Sequence, residues 1–94
     1  MQFPRIHING TSGEDLLAQY EKASRAVEAA VEAVAAGGPH GRDYYVIEYP
    51  AGDPCQQAIE EHHARLSKLR QVAVEINAIW QDLYFQQEER KARW

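Results

Sequence analysis

Seven consecutive residues, Pro39-His40-Gly41-Arg42-Asp43-Tyr44-Tyr45, bring a guanidinium, an imidazole and two phenol rings close together. Arginine grips phosphate or carboxylate through two parallel bonds, and tyrosine rings give bases a stacking platform. Further on, Pro54-Cys55-Gln56 has the form of a helix N-terminus, whose free backbone N–H groups favour an anion. A nucleotide-like ligand would find all of these partners here, which makes Arg42, Tyr44, Tyr45 and the neighbouring His40 the leading ligand-binding candidates. The plainer alternative is that the tyrosines cap a thin core and Arg42 pairs with Asp43 or Glu48. A second basic group, Arg65, Lys68 and Arg70, stands among few acids. With Lys22 and Arg25 opposite, it would line a groove between protomers in which Arg65 and Lys68 are further ligand-binding candidates; otherwise it is a solvated face.

Other chemistry-bearing residues give less. His62 and His63 are adjacent, so on a regular helix they point about 100° apart and cannot share one metal. Glu60 and His63 have the i,i+3 spacing of carboxylate-bundle metal sites, but such sites repeat the motif on other helices and the first helix holds no histidine. Cys55 falls in the first helical turn, where the dipole favours a thiolate, yet no histidine spacing supplies the base a nucleophile needs. The sequence has no phosphate-cradling glycine loop and no paired-carboxylate signature. No catalytic residue, metal site or cofactor is expected, and the protein is not expected to be an enzyme.

The elements that must position these residues can be read from periodicity. Residues 1–11 have the character of an extended arm, with Ile6 and Ile8 alternating with His7 and Asn9 before an Asn9-Gly10 turn. Thr11 or Ser12 then caps a helix over 12–36, each with an acid three places on. Its apolar positions Leu16, Tyr20, Ala23, Val27, Ala30 and Val34 alternate steps of four and three, a heptad seam. Residues 37–53 form a connection in which Tyr44–Ile47 has the composition of a short strand, to be paired with Ile6–Ile8. Asp53-Pro54 opens a second helix over 54–90, with Gln56 placed to complete a capping box. Its seam runs Ile59, His62, Leu66, Leu69, Ala73, Ile76, Trp80, Leu83. The expected fold is mainly α: one domain over 1–94, an antiparallel, coiled-coil-like two-helix hairpin with an N-terminal arm.

At about 1.5 Å per residue the helices are about 37 Å and 55–60 Å long, so the second should overhang the first. The overhang is expected to be the most apolar stretch, in which Val72, Val74, Ile76, Ile79, Trp80, Leu83, Tyr84 and Phe85 occupy more than one face, and the extra face must meet something. The arm, with Phe3, Ile6 and Ile8, would cover part. A second copy would cover the rest, with Ile79, Trp80, Leu83, Tyr84 and Phe85 at the interface of a homo-oligomer.

Composition sets the outer limits. Of 94 residues, 19 are Leu, Ile, Val or Phe and 14 are Ala, so the core must be thin or completed by another chain. Ten basic residues against fourteen acidic give a net charge of −4, which argues against a general DNA or RNA binder. A single cysteine excludes an internal disulfide and suits a reducing compartment. No apolar run approaches the roughly 20 residues of a membrane span, and Met1–Arg5 lacks the order of a secretion signal. A cytoplasmic location is expected.

The arm Ile6-His7-Ile8-Asn9-Gly10-Thr11-Ser12, the following Leu17-x-x-Tyr20, the Gly41-Arg42-Asp43-Tyr44-Tyr45 connection and Glu61-His62-x-x-Arg65 together resemble a family of small bacteriophage proteins. The resemblance covers nearly the whole chain, and the connection here is longer, at 46–52. It implies a counter-defence factor in the host cytoplasm that acts stoichiometrically. Such a factor would sequester a nucleotide-derived immune signal as an oligomeric sponge. The alternatives are an inhibitor docked on a host defence enzyme or CRISPR complex, for which the acids Glu14, Asp15, Glu21, Glu28 and Glu32 would serve, and a structural phage component.

Overall fold

A computed structural model describes residues 1–47 and 52–93. Two helices, α1 (Gly13–Ala36) and α2 (Pro54–Ala92), pack against each other as an antiparallel hairpin, joined by a connection that carries a 3-10 turn at Gly41–Asp43. Of the described residues, 74% are helical. The hairpin is a rod of 68 × 21 × 19 Å.

Local chemistry sets the helix ends. Ser12 is the N-cap of α1, its hydroxyl accepting from the Asp15 N–H at 3.1 Å, so of the two registers available the Ser12 one is used. Gly37 closes α1 by donating to the carbonyls of Ala33 and Val34. Asp53 caps α2, accepting from the N–H groups of Cys55 at 2.9 Å and Gln56 at 3.4 Å, with Pro54 at a position that needs no donor. The reciprocal half of that capping box does not form, because the Gln56 side chain donates one turn on, to Glu60. Gly52, just before the cap, has φ +110°, a conformation a Cβ would strain.

Every seam position expected in both helices is buried or half-buried. Among the described residues only Ile6, Leu66 and Leu83 are buried hydrophobics, with Leu83 fully so. Val27, Val34 and Leu69, expected in the core, are half-buried, since two helices bury one stripe and no third layer covers its edges. The Trp80 ring stacks on Tyr84 at 5.4 Å, and Phe85 meets Tyr84 edge-on at 6.0 Å.

The register corrects one expectation. Gly13 lies against Gln87 and Gly38 against His62, so facing residue numbers add to 100. The apolar stretch 72–85 therefore lies beside α1. The overhang is at the other end, where the first turns of α2 run past the end of α1 and the connection folds back over them. The same register sets Lys22 and Arg25 level with residues 78 and 75 of α2, not opposite Arg65–Arg70.

Neither short strand forms among the described residues. Gly41 accepts from the N–H groups of both Tyr44 and Tyr45, and Tyr44 accepts from Ile47, which winds 44–47 into turns. The arm is extended to His7 and then turns, Gly10 donating to the His7 carbonyl. It cannot pair with 44–47, which lie at the opposite end of the rod. Its partner is a side chain: the Gln86 amide accepts from Ile6 N–H and donates to the Pro4 carbonyl, both at 2.9 Å, as a strand neighbour would. Gln86 also donates to Asp82 at 2.7 Å, and Arg90 donates to the Ile6 carbonyl at 3.3 Å. Ile6 is buried by this docking, whereas Phe3 stays 43% and Ile8 92% exposed, so the arm covers less of α2 than its three apolar residues suggest.

Candidate functional site

The overhanging turns of α2 leave a face that α1 cannot reach. Residues 54, 57, 58, 61, 62 and 65 recur at helical spacing along it, and Gly37–Pro39, Asp43, Tyr44 and Ile47 of the connection rise beside it. Between the two lies an open groove of about 540 Å³, within the usual range for small-molecule sites.

Its polar groups come from both walls. On α2, Glu61 accepts from the Gln57 amide at 3.0 Å and from the Arg65 guanidinium at 3.4 Å. This i,i+4 ladder aligns three side chains along the groove. The Arg65–Glu61 pair is well exposed, so it holds the guanidinium loosely and leaves donors free for a ligand anion. His62 is half-buried beneath Gly38, where a Cβ would sit 3.4 Å from its Nε2. Tyr44 is half-buried and Asp43 exposed on the opposite wall. One aromatic ring, one imidazole, one guanidinium and two carboxylates thus share the groove. They can stack on a planar group, bind an anion, and accept from hydroxyl or amino groups.

The six ligand-binding candidates divide. Tyr44 and Arg65 meet in the groove, though 21 residues apart in the chain. Arg42, Tyr45, His40 and Lys68 do not line it. Arg42 folds back on His40, whose Nδ1 accepts from both its backbone N–H and its Nε, at 3.2 and 3.3 Å. Among the described residues it pairs with no acid; Glu48 lies outside them. Tyr45 is 74% exposed beside the turn. Sequence reasoning missed Gln57, Glu61, Asp43 and the groove side of His62. The Gln57–Glu61–Arg65 spacing was a readable signal for the ladder; the contribution of Asp43 depends on the 3-10 turn and was not readable.

Cys55 is half-buried and its N–H is taken by the Asp53 cap. No group of three or more metal-ligating side chains forms among the described residues, and none of their helices is long and apolar enough to cross a membrane. Of the expected interface residues, Leu83 is buried within the hairpin, Ile79 and Trp80 are half-buried, and Tyr84 and Phe85 are exposed. Comparison with family models, with curated proteins and with solved structures finds no match to this chain.

Proposed function

We propose that this protein acts stoichiometrically, as a phage counter-defence factor that sequesters a nucleotide-derived immune signal in the groove at the connection end. The observation that carries this reading is the meeting of Tyr44, His62 and Arg65 in one cavity of ligand size. Tyr44 stacks on the base, Arg65 swings from Glu61 to a phosphate, and Asp43 accepts from the base or sugar.

Calorimetry with a panel of cyclic and linear nucleotides tests this. A charge-assisted bond contributes about 1.5–3 kcal/mol and a stacked base about 1–3 kcal/mol. Arg65→Ala and Tyr44→Ala should therefore each weaken binding roughly tenfold or more. The loss from Arg65→Ala should shrink as salt is added, whereas the loss from Tyr44→Ala should persist. Arg42→Ala and Tyr45→Ala, outside the groove, should bind as wild type does. Absence of heat with every nucleotide overturns the reading.

A second reading, an inhibitor docked on a host defence protein, is favoured by one observation. Glu14, Asp15, Glu21, Glu28 and Glu32 are all exposed along α1, and only Glu21 has an ion-pair partner among the described residues, Arg25 at 2.7 Å. Such a surface suits a basic partner. Reversing Glu28 and Glu32 to Lys should abolish that docking and leave nucleotide binding intact.

A further inference from the structure

Val74 and Phe85 are 63% and 68% exposed, the two most exposed large apolar residues of α2. They are eleven residues apart, which brings them to within about 20° of each other around the helix. Ala78 and Gln81 fall between, so the stripe 74-78-81-85 repeats the four-three-four spacing of the buried seam. It is turned well away from the seam, where Ala73, Ile76 and Trp80 are half-buried and Leu83 is buried. Tyr84, 42% exposed, borders it on one side.

The surface area indicates what covers this stripe. The chain exposes 7303 Å², whereas a compact chain of its mass exposes about 5500 Å². The excess of about 1800 Å² is more than the roughly 800 Å² each partner gives to a standard interface. Its three-residue core is correspondingly small.

We infer that α2 pairs with α2 of a second copy of this chain, antiparallel and about a two-fold axis between Ala78 and Gln81, to make a flat layer of four helices with the two α2 helices at its centre. Self-pairing suits the stripe because its ends are alike. The axis sets Val74 of one copy opposite Phe85 of the other, and Ala78 opposite Gln81. The charges agree with this register. Arg70, which has no ion-pair partner among the described residues, comes level with Glu88 of the other copy on the same flank of the stripe. That acid is held only by an exposed contact of 3.7 Å to Lys91. The interface thus moves from the expected Ile79, Trp80, Leu83, Tyr84 and Phe85 to the face of Val74, Ala78 and Gln81, with Phe85 common to both.

Sedimentation equilibrium on the whole chain tests the pairing. Wild type should run at twice 10.7 kDa at tens of micromolar. Val74→Glu and Phe85→Glu should each weaken association at least a hundredfold with unchanged helical circular dichroism, because both side chains are exposed in the single chain. Ala29→Glu, on the exposed side of α1, should not alter the mass. A second arm changes no apolar residue: Arg70→Glu should weaken the dimer severalfold, and adding Glu88→Arg should restore it. A monomeric wild type, a dimer that survives both glutamate variants, or a double charge variant no tighter than Arg70→Glu overturns the inference. The outcome is independent of the calorimetry above, since none of these residues lines the groove.

Discussion

Gln86 is the residue on which the arm depends. One planar amide accepts from Ile6 and donates to Pro4 and Asp82, so every strong position it has toward its neighbours is used. Net contributions of about 0.5–1.5 kcal/mol per hydrogen bond lead to an expected loss of about 1–3 kcal/mol for Gln86→Ala in urea denaturation. Gln86→Glu should lose at least as much, because it turns an acceptor toward the Pro4 carbonyl and the Asp82 carboxylate. A Gln86→Ala protein as stable as wild type would mean that the arm adds nothing to the fold. Trp80 is the opposite case: its buried Nε1 has no hydrogen-bond partner among the described residues. Neither feature was legible in the sequence. A glutamine on a polar helix face carries no sign that an arm will dock on it, and the indole's isolation depends on how the hairpin packs around it.

At the scale of the elements, the seam was the readable part. Its positions in both helices are those that the spacing of fours and threes picks out, because only a continuous stripe can be buried between two helices. Leu66, 7% exposed near the connection end of that stripe, should cost about 2–4 kcal/mol when cut to Ala. A change below about 0.5 kcal/mol would mean the seam does not close there. The end at which α2 overhangs was not readable. Helix lengths give the amount of overhang, but its placement depends on how the connection folds, and the 3-10 turn at Gly41–Asp43 has no periodic signature. The same limit explains the split of the site. Tyr44 and Arg65 are brought together by that fold, while Arg42 and Tyr45, two and one residues from them in sequence or turn, face other neighbours.

The whole molecule has a Cα radius of gyration of 20.2 Å, against about 12 Å for a compact chain of this length. Composition foretold the thin core: with few large aliphatics and many alanines, two helices are as much as one chain can bury. An elongated shape also separates the two ends. The groove and the arm are at opposite tips of a 68 Å rod, so a ligand at one tip has no direct contact with the other. In the paired state the stripe at 74–85 lies between them, nearer the arm.

The contacts of Gln86 and Arg90 with the arm span 80 to 84 residues of chain, the longest separations among the side-chain bonds described. Loops of that size close last, since their entropy is recovered only after nearer contacts have shortened the path. The helices should therefore zip from the connection, with arm docking as a separate final step. Hydrogen exchange can time that step, because the Ile6 amide is covered by a side chain alone. It should exchange through arm release, many times faster than amides near Leu66 that wait for global opening. Equal rates at the two places would make arm and hairpin a single cooperative unit.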